Sequence, residues 1–81
     1  MITVLFFAQV REQVGCEKMT LEPAFSTVEA LRYSLAGRGA NWALALEPGR
    51  LLSAVNQELV DGGHPLSAGD EVAFFPPVTG G

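Results

Sequence analysis

One cysteine, one histidine and only five basic residues deny this 81-residue chain several kinds of chemistry. Cys16 has no second cysteine to bridge to, so burial of apolar side chains must stabilise the domain unaided. One cysteine and one histidine do not make a metal site. A nucleophilic Cys16 would need a base such as His64, and nothing in the sequence places the two together. Cys16 therefore reads as a small half-buried filler at the start of a strand. Arg11, Lys18, Arg32, Arg38 and Arg50 are scattered in a chain of net charge −4. No basic stripe is available for phosphates, which argues against nucleic acid as a partner and leaves a basic patch on a protein as the better match. No apolar run approaches the roughly 18 residues of a membrane span. Met1-Ile2-Thr3-Val4 has no basic leader region, so a cytosolic location is expected.

The chain does have enough apolar side chains for one core. Hydrophobic residues make up 48% of it, and its mean hydropathy is positive, which argues against disorder. Ile2 to Val10 is rich in β-branched and aromatic residues and predicts a strand. Ile2, Val4, Phe6, Ala8 and Val10 form its core parity; Thr3, Leu5, Phe7, Gln9 and Arg11 form a mixed outer one. Glu12 to Gly15 predicts a turn, and Cys16 to Leu21 a second strand with Met19 and Leu21 inward.

Ser26-Thr27-Val28-Glu29 has the form of a capping box, with helix following from Thr27 to about Ala36. Val28, Leu31 and Leu35 share a face, and Gly37 offers a left-handed stop. A further helical turn is expected at Asn41 to Leu46, with Trp42 and Leu46 as packing residues. Strands follow at Leu51 to Asn56 and Glu58 to Val60. Turns follow at Asp61-Gly62-Gly63 and Ser67-Ala68-Gly69-Asp70, and a last strand at Glu71 to Phe75. His64 before Pro65 reads as a turn residue, and Glu12, Glu17 and Glu22 are too dispersed for acid–base catalysis.

Strands first, one main helix, then strands predict an α+β domain over 1–75, a mixed sheet with the helix on one face. This order is similar to the β-grasp, or ubiquitin-like, fold, and that likeness implies that the first and last strands lie side by side and parallel.

Beyond Phe75 the sequence reads Pro76-Pro77-Val78-Thr79-Gly80-Gly81, a tail over 76–81. Two prolines favour an extended path and forbid ladder bonding. Two glycines leave the tip without side chains, so backbone can approach a partner closely. Six extended residues reach roughly 20 Å, enough to thread a narrow channel. A terminal carboxylate on Gly81, with a pKa of about 3.5, is ionised at neutral pH and a poor electrophile. To carry anything it must first be activated, most simply as an acyl-adenylate. Gly37-x-Gly39 follows a helix and cannot cradle phosphate, so activation falls to another protein. The plain alternative is a frayed terminus.

If the first and last strands pair, Phe7 and Phe75 share the outer face beside the tail root. Leu59 is a third candidate and Arg11 a rim contact, together a docking patch for partners.

Four segments carry a family likeness: residues 1–12, Thr27 to Arg32, Leu52 to Gln57, and Pro65 to the end. With the ending Phe-Phe-Pro-Pro-Val-Thr-Gly-Gly they closely resemble the small subunit of molybdopterin synthase (the MoaD family) over nearly the whole chain. The stretch from Cys16 to Glu22 is the clearest departure. The resemblance implies that Gly81 is adenylated by an E1-like enzyme using ATP and converted to a thiocarboxylate by a sulfur donor system. The tail then enters the large subunit of a heterotetramer and gives sulfur to a cyclic pyranopterin precursor, forming the molybdopterin dithiolene. An isopeptide from Gly81 to a large-subunit lysine is a side state. The chain itself is expected to bind no cofactor and to be no catalyst. Two rival expectations stand beside this one. One is a ubiquitin-like modifier, or a carrier for thiamine or tRNA thiolation; the other is a β-grasp module with an idle tail.

Overall fold

A computed structural model describes residues 1–22, 25–49 and 51–77. The expectations for Val78, Thr79, Gly80 and Gly81 lie outside the described residues. Strand β1 (Ile2–Phe6) is followed by helix α1 (Ala8–Val14), β2 (Lys18–Leu21), α2 (Val28–Ala36) and α3 (Ala40–Ala45). Strands β3 (Leu52–Val55), β4 (Glu58–Val60) and β5 (Glu71–Phe75) complete the chain. They form one mixed sheet in the order β2-β1-β5-β3-β4. As the β-grasp likeness implies, β1 and β5 are parallel central neighbours, with Val4 opposite Val72 and Phe6 opposite Phe74. The other pairings, β1–β2, β3–β5 and β3–β4, are antiparallel.

The alternation of each strand separates two faces. Ile2, Val4 and Phe6 of β1 and Val72 and Phe74 of β5 are buried against Val28, Leu31 and Leu35 of α2. Trp42 and Leu46 close the core beside them, the indole meeting Phe6 edge-on with ring centroids 5.6 Å apart. Arg38 lies over the Trp42 ring, 5.4 Å from its centre. Met19 and Leu21 pack partly buried against this core, as their inward parity requires.

The first strand is shorter than its composition suggests. It stops at Phe6, and the chain turns through Ala8, a non-glycine residue at φ 52°, into α1. The stretch expected to end a strand and make a turn is therefore helical through Val14. The cause is a coincidence of periods. Val10 fits the inward parity of a strand, but Val10 and Val14 also stand at i, i+4 on one helical face. Gln9 before them and Arg11, Glu12 and Gln13 between them are good helix formers. Val10 is buried and Val14 packs on the core, whereas Ala8 is exposed. Gly15, at φ 71°, ends the helix, its N–H donating to the Arg11 carbonyl at 2.9 Å. The first two strands are thus joined through a helix, and β2 begins at Lys18, not Cys16.

Two further corrections concern α2. Its cap is Thr27, whose hydroxyl accepts from the Ala30 N–H at 3.1 Å, one position later than a Ser26–Glu29 box. The Glu29 N–H donates to the Gly62 carbonyl at 2.9 Å, and its carboxylate pairs with Arg32 at 2.6 Å. Arg32 also donates to the Leu46 carbonyl at 2.8 Å, tying α2 to the end of α3. Gly37 is not left-handed: it sits at φ −78°, and the helix ends with bonds from Gly37 to Ser34 and from Arg38 to Leu35. Among the described residues no helix is long and apolar enough to cross a membrane.

Candidate functional site: the tail root and the open sheet face

The position of the tail is set at the far end of β5. Asp70, just before the strand, accepts from the Ser67 N–H at 2.8 Å and from the Asn56 amide at 3.0 Å. The Asn56 side-chain oxygen accepts in turn from the Glu71 N–H at 3.0 Å. Asn56 and Gln57 both have positive φ, 52° and 72°, the two-residue turn that closes the β3–β4 hairpin. The Ser67 amide, then the Asn56 side chain, hold the Asp70 carboxyl below its usual value by favouring the charged form. This cluster locks the hairpin, the preceding turn and β5 in one register. Hydrogen bonds along two neighbours carry that register to Phe75, where Pro76 and Pro77 begin the tail.

On the face away from the helices, the register gives a cross-strand row of Leu5, Ala73, Ala54 and Leu59. The next row towards the tail pairs Phe75 with Leu52. Phe7 follows the Phe6–Phe74 pair, and its N–H donates to the Phe74 carbonyl at 3.2 Å. The structure thus places Phe7 and Phe75 at the same end of adjacent strands. Phe7 is 46% exposed and Leu59 67% exposed, while Phe75 is half-buried and Arg11 exposed. By strand and residue spacing, Leu59 lies roughly 12 Å diagonally from Phe75 across the same face. Trp42 packs on Phe6, on the core side, so the 41–46 segment does not cover this patch.

Sequence reasoning named the tall members of the surface and missed its floor. Ala54 is only 9% exposed yet lies outside the core cluster. It and Ala73 form a low strip between Leu5 and Leu59, giving an open apolar saddle. The missed signal was the second parity of β3, where Leu52 and Ala54 are at least as apolar as Ser53 and Val55.

Other singled-out residues stay apart from this site. Cys16 is half-buried against the core, its thiol donating to the Lys18 carbonyl at 3.3 Å. The His64 carbonyl accepts from the Val28 N–H at 3.1 Å, which ties its loop to the start of α2. Among the described residues no three histidine, cysteine, aspartate or glutamate side chains cluster as metal ligands.

Comparisons with known proteins agree with this arrangement. The ThiS family model matches residues 4–81. The chain is 64% identical over its full length, and that of the relative, to the molybdopterin synthase sulfur carrier subunit of Escherichia coli K12. It is 56% identical, again over both full lengths, to the Haemophilus influenzae protein of the same name. A solved complex of subunits 1 and 2 of the molybdopterin-converting factor from Helicobacter pylori contains a chain that superposes with a TM-score of 0.69. That chain is 28% identical, with 99% of this chain and 97% of the other covered. A five-stranded β-grasp sheet with a diglycine-ended segment after its last strand, and this likeness along the whole chain, lead to one assignment: the chain belongs to the ThiS family, among the molybdopterin synthase sulfur carrier subunits.

Proposed function

We infer that this chain is the sulfur-carrying small subunit of a molybdopterin synthase, working through the carboxylate of Gly81. The observation that supports this reading most directly is the 64% identity, end to end, with a sulfur carrier subunit of that enzyme. The chemistry follows from the carboxylate. Ionised at neutral pH, it resists nucleophiles. An E1-like adenylating enzyme joins it to AMP from ATP with release of pyrophosphate, and a sulfur donor system displaces AMP to leave a thiocarboxylate. The large subunit then takes up the tail, and sulfur passes to the cyclic pyranopterin precursor to build the dithiolene.

In this reading each part of the fold has one task. The Asp70–Asn56 cluster and the β1–β5 ladder hold the tail root. Pro76 and Pro77 forbid further ladder bonding after Phe75, and Val78, Thr79 and Gly80 are the segment offered to the partner. Phe7, Leu59 and Phe75 supply apolar contact, with Arg11 at the rim. The chain is a non-catalytic subunit in the cytoplasm, binds no cofactor itself, and joins a heterotetramer built on a central large-subunit dimer. ATP is consumed by the adenylating partner.

The test is intact-mass measurement after incubation with ATP, the adenylating enzyme and a sulfur donor. The expected result is a gain equal to exchange of one oxygen for one sulfur, absent when Gly81 is deleted. Conjugates to lysines of unrelated proteins would favour a modifier instead, and full pathway activity without Gly81 would refute any carrier role.

A further inference from the structure

We propose that the groove between α1 and α3 at the tail root is a second contact for the large synthase subunit, receiving a lysine or arginine from the rim of its tail channel. The proposal rests on the sulfur-carrier reading and adds a surface on the other side of the tail from the Phe7–Phe75 patch.

The groove encloses about 430 Å³, and Pro76 and Pro77 form part of its wall. Gln9 and Gln13, at i, i+4 on α1, line it opposite Leu44 of α3 and Glu47 just beyond that helix. Leu44 is 62% exposed, although the neighbouring Ala45 and Leu46 are buried. Among the lining side chains Glu47 is the one carboxylate, and the two glutamine side-chain oxygens can accept hydrogen bonds beside it. This combination fits a long basic side chain, its alkyl stem on Leu44 and the prolines and its charged head at the carboxylate. The chain's net charge of −4 favours a cationic visitor.

Continuity with the tail identifies the visitor's source. A channel that closes around an extended tail must also surround its root. The root is flanked by Phe75 and Phe7 on the sheet side and by this groove on the helical side. A partner that takes up the tail as far as Pro76 therefore meets Glu47 and Leu44 as its rim closes.

Titration calorimetry with the purified large subunit tests this, using Glu47→Lys, Leu44→Ser and, as reference, Phe75→Ala. Both groove side chains are exposed, so melting temperatures should stay within about 4 °C of the parent. Glu47→Lys is expected to raise Kd about ten-fold or more, with the difference shrinking at high salt. Leu44→Ser should raise it several-fold. Unchanged affinity in both groove variants overturns the proposal, and loss of affinity in Phe75→Ala alone would leave the sheet-face reading standing. Weakened binding only to the adenylating enzyme also overturns it. So does self-association in sedimentation that Glu47→Lys abolishes while large-subunit affinity stays unchanged.

Discussion

Leu59→Ala should separate docking from folding. Burying a whole leucine side chain contributes about 1.5–3 kcal/mol. Leu59 is 67% exposed in the free chain, so about 1–2 kcal/mol of that contribution is available to an interface. The buried remainder, about 0.5–1 kcal/mol, supports the fold. Truncation to alanine should therefore raise Kd for the large subunit about 5- to 30-fold. The melting temperature should fall by no more than about 4–8 °C, as a loss of up to 1 kcal/mol predicts for a domain of this size. Calorimetry with the large subunit reads the first quantity and circular dichroism melts the second. A variant that melts far lower yet binds as tightly as the parent would show that Leu59 serves the fold, and the open-face argument would fail. Phe74→Ala gives the contrast: that ring is fully buried, so its loss should cost about 3–5 kcal/mol and unfold much of the population.

Other outcomes follow from the same geometry. Phe75→Ala should weaken partner binding more than it lowers the melting temperature, and a large stability loss with intact binding would refute its docking role. Asp70 has a depressed pKa in the fold, so its contribution is complete above the ordinary aspartate value and lost as pH falls through the lower folded one. Melts should therefore show an acid limb below about pH 4 that Asp70→Asn flattens. Glu29, held low mainly by its hydrogen bond to Arg32, should keep part of that limb. A limb unchanged in Asp70→Asn would refute the assignment. Gly15→Ala puts a Cβ at φ 71° where it meets no other atom, so the cost is conformational alone, about 1 kcal/mol. Gly15→Asn should lose less, and equal melting of both variants with the parent would show that α1 can end without a left-handed residue.

The sequence by itself determined the parts whose signals are local. The β-branched run from Ile2, the alternation of Val72 and Phe74, and the i, i+3, i+7 face of Val28, Leu31 and Leu35 each specify one element and its buried side. The Pro-Pro spacer and the diglycine are likewise legible, because backbone freedom belongs to the residue itself. Tertiary structure decided what depends on neighbours distant in the chain. Val10 satisfies both a strand and a helix, and packing of α1 against α3 selected the helix. Ser26 and Thr27 can each cap α2; the Gly62 carbonyl takes the Glu29 N–H and fixes the start at Thr27. The saddle of Leu5, Ala73, Ala54 and Leu59 exists only through the pairing of β1, β5, β3 and β4, four segments scattered from residue 2 to residue 75. The groove at the tail root is equally absent from any local pattern, since two helices and the tail itself must converge to form it.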